Sequence, residues 1–145
     1  MIDNKNLKNS IQTILLVDDN PDHVELFSIS LRKTFPSSRI VIASNGEEAL
    51  KTLGLLPPLS CKKTNPPDAI LLDINLPKYP GNEIIRLIKT ERSLRNIPVL
   101  VISTSANLED IGLMLQLGAD DYYCKSNHDM DLGKKLLKML QQNRA

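Results

Sequence analysis

Three acidic side chains stand where apolar runs end: Asp18 and Asp19 close TILLVDD, and Asp73 closes PDAILLD. Such runs read as fully buried strands, so the acids that end them are carried to the edge of a sheet. Like charges gathered there repel, by about 4 kcal/mol for a pair 4 Å apart at an effective dielectric of 20. A fold tolerates that mainly where the charge is used. Clustered carboxylates suit a hard divalent cation such as Mg2+, and a carboxylate beside such a cation can attack phosphorus to form an aspartyl phosphate. That chemistry calls for a positive side chain to neutralise the phosphoryl oxygens and a hydroxyl to bond them. IPVLVISTS ends in Ser103, Thr104 and Ser105, and DDYYCK ends in Lys125.

The elements that must position these residues alternate. Apolar runs near 12–17, 39–43, 69–73, 97–102 and 121–124 predict strands, and helical periodicity predicts helices near 21–35, 46–55, 81–91, 107–117 and 128–141. This is the pattern of an α/β fold, a doubly wound five-stranded parallel sheet with helices on both faces. Right-handed crossovers bring the carboxyl ends of the strands to one edge, where such sheets bind ligands. The first of these helices has a clear start, Asn20 as cap and Pro21 in the first turn, with Val24, Phe27, Leu31 and Phe35 as its inward stripe. The segment 56–67 holds four prolines and two lysines and reads as a surface loop.

Taken together and in order, ILLVDDNP, ASNGEEAL, LLDINLPKYPG, IPVLVISTS and GADDYYCK resemble the receiver domain of a two-component response regulator over about residues 12–141. The loop 56–67 and the NLP after the acceptor are similar to the single-domain regulators associated with bacterial phytochromes. The resemblance implies a flavodoxin-like strand order 2-1-3-4-5, with Asp73 as phosphoacceptor and Lys125 as the lysine that pairs with it. It implies Mg2+ held by Asp18, Asp19, Asp73 and the backbone carbonyl of Asn75, Asp18 acting through water. Ser103 matches the switch hydroxyl, thirty residues after Asp73; strand alternation and this count favour it over its neighbour Thr104. Tyr122 matches the aromatic switch. The family pattern has proline after the lysine, and this chain has Ser126; Lys78 stands where glycine is frequent.

The resemblance also implies partners: a histidine kinase, of phytochrome type by the narrower likeness, and a downstream protein target or phosphotransfer protein. The chain is then a signalling module and not an enzyme beyond its own phosphotransfer and dephosphorylation, signalling through the 107–117 helix, the 121–124 strand and the 128–141 helix. A degenerate receiver that binds proteins independently of phosphorylation is the alternative. A haloacid dehalogenase-type phosphatase would need a second acid where Asn75 stands, and a flavodoxin-type flavin carrier shares only the fold.

The bulk numbers fit one domain. The chain has 145 residues, with 18 lysines and arginines against 17 aspartates and glutamates and a net charge of +1, which argues against a nucleic-acid surface. Residues 1–11 read as a polar N-terminal tail before a receiver at 12–141, with no output domain expected. No apolar run reaches the roughly 20 residues of a membrane span, so a cytoplasmic protein is expected. Cys61 and Cys124 suggest neither a disulfide nor a zinc site. His23 and His128 read as surface residues at helix starts. The 107–117 helix is apolar almost all round, with Leu108, Ile111 and Leu115 on one stripe and Leu113 and Leu117 on another. The 128–141 helix, with Leu132, Leu136, Leu137, Met139 and Leu140, is similarly broad. A homodimer through these two helices is expected.

Overall fold

The computed structural model describes residues 4–56, 65–104, 108–125 and 131–143. Cys61, Ser105, the Lys125–Ser126 peptide and His128 lie outside the described residues. Five parallel strands, β1 (Thr13–Val17), β2 (Arg39–Ala43), β3 (Ala69–Asp73), β4 (Val99–Ser103) and β5 (Asp121–Cys124), lie in the order β2-β1-β3-β4-β5. Among the described residues six helices surround them: α1 (Asn4–Ser10), α2 (Pro21–Thr34), α3 (Gly46–Thr52), α4 (Gly81–Thr90), α5 (Leu108–Gln116) and α6 (Leu132–Asn143). The expected winding is present. β3 and β4 are buried along their whole length, whereas β2, at the sheet's edge, leaves Arg39 and Ile42 exposed.

Strand alternation sends apolar side chains to two separate cores. Ile14, Leu16, Ala69, Leu71, Leu100, Ile102 and Tyr123 pack under α1, α2 and α6. Leu15, Val17, Ile70, Leu72, Val99 and Val101 pack under α3, α4 and α5.

Three expectations need correction. Residues 4–10 form α1 and not a tail; Leu7 and Ile11 are buried against α2 and α6. A seven-residue polar helix is marginal alone, and burial of two apolar residues four apart overrides that. The breadth of α6 is absorbed inside the chain, since Leu132, Leu136, Met139 and Leu140 are all buried with Leu7, Ile11, Phe27, Leu31 and Tyr123. Of α5 and α6, it is α5 that keeps an apolar excess among the described residues. Its inward pair is Ile111 and Met114, while Leu108, Leu113 and Leu115 are exposed, Leu108 at 78%. The third correction concerns His23 and belongs with the site.

The β3–α4 connection sits under the acidic cluster and is tightly built. Tyr79 N–H donates to Pro77 O at 2.8 Å across Lys78, whose φ is 68°. A three-residue turn with positive φ is the rare, strained kind. Glycine adopts that backbone without strain, so Lys78→Gly is expected to stabilise the fold by about 0.5–1 kcal/mol, read as a higher urea midpoint. A lower midpoint would contradict this account of the turn. Gly81 lets α4 begin against the same loop, because a β-carbon there would come within 2.7 Å of Ile74 Cα.

Candidate functional site

Period-two alternation decides which side chains share a face. Asp18, Asp73 and Lys125 have the parity of Leu16, Leu71 and Tyr123, all in the core under α2 and α6. Each stands at the carboxyl end of its strand, so three distant segments deliver their charges to one place. The turn after β1 is fixed locally: Asn20 N–H donates to Asp18 Oδ1 at 2.9 Å, and Asn20 Oδ1 accepts from the Asp22 and His23 amides at 2.9 and 3.3 Å. Asn20 thereby caps α2 and ties its first turn to the site.

Carboxylate oxygens of Asp18, Asp19 and Asp73 lie within 4.8 Å of one another. Asp18 and Asp73 are buried, at 1% and 2% exposure, and Asp19 is exposed. The Lys125 ammonium sits 2.9 Å from both Asp18 Oδ2 and Asp73 Oδ2. The other oxygen of Asp73 accepts the Asn75 amide at 2.9 Å, so both ends of that carboxylate are held. Burial acts to lower the Lys125 pKa, but the adjoining carboxylates of Asp18 and Asp73 outweigh it and leave the ammonium above its ordinary 10.5. A folded-state pKa raised in this way means that the stabilisation is complete below pH 10.5 and is withdrawn as pH rises through the elevated value.

A hard divalent cation fits this donor set. Three carboxylates carry more negative charge than one ammonium neutralises, and all their ligand atoms are oxygen. Buried Asp18 Oδ2 accepts no formed hydrogen bond among the described residues; it meets the Lys125 ammonium only as an ion pair.

The remaining candidates fall around this centre. Ser103 is buried at the end of β4, with the parity of Val99 and Val101, and so faces the α4–α5 side of the sheet. Tyr122 lies opposite Val101 in the register, so it shares that face with Ser103; it is 37% exposed, with the Lys135 ammonium 5.8 Å from its ring. Thr104 is exposed, and its hydroxyl accepts from Asn75 Nδ2 at 3.1 Å. Asn75 touches Asp73 through its amide.

His23 was expected on the surface and stands in the site. Its Nδ1 lies 3.0 Å from Lys125 Nζ and 3.8 Å from Asp18 Oδ2. A signal for this was present: His23 precedes core residue Phe27 by four, which puts both on one face of α2, and their rings lie 5.9 Å apart.

Comparison with known proteins agrees with this geometry. The response regulator receiver domain family matches residues 14–137. Response regulator Rcp1 of Synechocystis is 33% identical over 127 residues, covering 87% of this chain and 84% of that protein. A probable cyclic di-GMP phosphodiesterase of Vibrio cholerae is 37% identical over 113 residues, covering 78% of this chain but only 23% of that protein. Among solved structures, the bacteriophytochrome response regulator AtBRR superimposes with a TM-score of 0.76 at 30% identity, covering 92% and 93% of the two chains. The phosphorylated cyanobacterial phytochrome response regulator RcpA and the Mn2+-bound form of Rcp1 each give 0.72 at 32% identity, RcpA covering 91% of this chain and 90% of its own, Rcp1 90% of both. With fold, acidic cluster and paired lysine in agreement with the family match, this chain belongs to the response regulator receiver domain family.

Proposed function

We propose that the chain accepts a phosphoryl group from a histidine kinase on Asp73. The observation that carries this reading is the single ammonium of Lys125 shared at 2.9 Å by the buried carboxylates of Asp18 and Asp73. Mg2+ would be held by Asp18, Asp19 and Asp73, with the carbonyl of Asn75, and when bound would offset negative charge between acceptor and donor. In the transfer, an Asp73 carboxylate oxygen forms a bond to phosphorus as the phosphorus–nitrogen bond of the donor phosphohistidine breaks. The electron pair of that bond stays on the imidazole nitrogen, which takes up a proton. Asp73 attacks from a fixed plane because Asn75 N–H and Lys125 hold its two oxygens. Lys125 then neutralises phosphoryl charge as a point donor.

Phosphorylation adds about 1.5 to 2 negative charges and three acceptor oxygens. These draw the Ser103 hydroxyl inward, and Tyr122, on the same face, follows; the surface of α5, β5 and α6 changes with it. Population shift describes the change, since the phosphoryl group favours one arrangement by its differential contacts. Exposed Leu108, Leu113 and Leu115 on α5 support that surface as the place where a downstream protein or a second copy docks. Light scattering that finds only monomer at high concentration, with and without a phosphoryl mimic, would remove the second copy. The likeness to phytochrome-associated regulators supports a phytochrome-type kinase as donor. No helix among the described residues is long and apolar enough to cross a membrane, which agrees with action in the cytoplasm.

Incubation with acetyl phosphate and Mg2+, followed by intact mass, tests the reading. The wild-type protein is expected to gain one phosphoryl group, and Asp73→Ala or added EDTA to abolish the gain. No gain, or a gain that survives Asp73→Ala, would favour the alternative reading as a phosphorylation-independent binding module.

A further inference from the structure

Lys125 has three N–H bonds; one is donated to Asp73 Oδ2, and Asp18 Oδ2 meets the ammonium as an ion pair. His23 Nδ1, 3.0 Å away, stands within reach of another. A charged ammonium only donates, so a hydrogen bond between the two groups requires Nδ1 to present its lone pair, with the ring proton on Nε2. Phe27 completes the surround, its ring 5.9 Å from that of His23 and 6.0 Å from the ammonium. α2 thus supplies a neutral acceptor and an aromatic face to a lysine that arrives from the opposite edge of the sheet.

We propose that His23 is a positioning residue for Lys125: its Nδ1 lone pair holds the ammonium in place to meet the incoming phosphoryl group. The inference rests on the phosphoacceptor reading of Asp73. When the phosphoryl group arrives, the ammonium must exchange a carboxylate contact for a phosphoryl oxygen. Four rotatable bonds let an untethered lysine swing to solvent at that moment. A bond to His23 makes it pivot instead. The chemistry of the tether matters as much as its position. A carboxylate would also hold the lysine, yet it would add negative charge to a site that already contains Asp18, Asp19 and Asp73 and must admit an anion. An imidazole fixes the ammonium without that repulsion.

Three substitutions separate positioning from packing. His23→Phe keeps a ring against Phe27 and removes the acceptor. His23→Asn returns an oxygen near the place of Nδ1, and His23→Gln returns one near Nε2. Phosphorylation by acetyl phosphate with Mg2+ is followed by intact mass over time, beside urea denaturation of each variant. His23→Phe and His23→Gln are expected to slow phosphorylation about five- to tenfold, the scale of one hydrogen bond to a charged group partly replaced by water. His23→Asn is expected within about twofold of wild type, although the three variants differ little in urea midpoint. A long-range proton–nitrogen correlation spectrum of the wild type is expected to show the Nε2–H tautomer. Wild-type rates for His23→Phe, equal rescue by Gln and Asn, or an Nδ1–H tautomer would each overturn the assignment. A wild-type protein that takes up no phosphoryl group would fail the reading of Asp73 itself, and the tautomer would still report separately on the His23–Lys125 bond.

Discussion

Lys125→Met is expected to cost about 3 kcal/mol of folding free energy at neutral pH, with most of the loss recovered in saturating Mg2+. Methionine matches the length of the lysine stem and removes only the charge. What remains is the pair of oxygens that shared the ammonium at 2.9 Å, Asp18 Oδ2 and Asp73 Oδ2, on side chains 0% and 3% exposed. Breaking a buried ion pair from one side costs about 3–5 kcal/mol, because the partner charge is left without compensation. The lower end applies, since exposed Asp19 marks the open mouth of the site. A cation that binds only the folded state returns about 2.7 kcal/mol at a hundred times its dissociation constant, and it acts on the same carboxylates. The variant should also lack the alkaline loss of stability above pH 10.5 that the elevated Lys125 pKa gives the wild type. Urea titrations with and without Mg2+ measure the first two effects, and a series run from neutral pH to above 10.5 without Mg2+ measures the third. A loss under 0.5 kcal/mol, or a loss that Mg2+ leaves untouched, would show that this ammonium does not balance the cluster.

Gly133→Val is expected to destabilise by about 3 kcal/mol while leaving the site's chemistry intact. Gly133 is buried on the first turn of α6, where that helix meets α2. A β-carbon there would come within 2.6 Å of Ser30 O, a backbone atom that cannot rotate away. The two helices are tied at this point: Gly133 N–H donates to Ser30 Oγ at 2.9 Å, and Ser30 Oγ donates to Asp131 Oδ1 at 3.2 Å. Asp131 in turn accepts the Lys134 amide at 3.0 Å and caps α6. Burial alone would raise the Asp131 pKa, but the Lys134 amide, the Ser30 hydroxyl and the Lys134 charge outweigh it and hold the carboxyl below its usual range. Prising α6 away breaks this junction and loosens Leu132 and Leu136 from the core. Under native conditions the phosphorylated fraction reached with acetyl phosphate should equal that of wild type, since α6 supplies no residue to the acidic cluster. A midpoint unchanged from wild type would mean that the helix crossing is looser than described.

Much of this arrangement was legible because it depends on local rules. Apolar runs ending in Asp18, Asp19 and Asp73 identify buried strands, alternation then settles which acids share a face, and Asn20-Pro21 marks where α2 begins. What was not legible depends on tertiary contact. A polar seven-residue stretch has no intrinsic reason to be helical, and α1 exists because Leu7 and Ile11 close one end of the core. The breadth of α6 suggests an interface in the sequence, and its cause is internal: the helix is buried against Leu7 and Ile11 as well as against Phe27 and Leu31. His23 was read from its type and its place at a helix start, and the lysine that makes it part of the site lies 102 residues away in the chain. Its four-residue spacing from Phe27 was the one local clue.

Asp73, held by Lys125 and the Asn75 backbone N–H, is the residue we propose to become an acyl phosphate. Borohydride reduces an acyl phosphate to the alcohol, so treatment of the acetyl phosphate-exposed protein should convert Asp73 to homoserine. Peptide mass spectrometry is expected to find homoserine at position 73 and nowhere else, and only when Mg2+ was present. Unmodified Asp73 in a protein that has gained phosphoryl mass, or homoserine at Asp18 or Asp19 instead, would contradict the account.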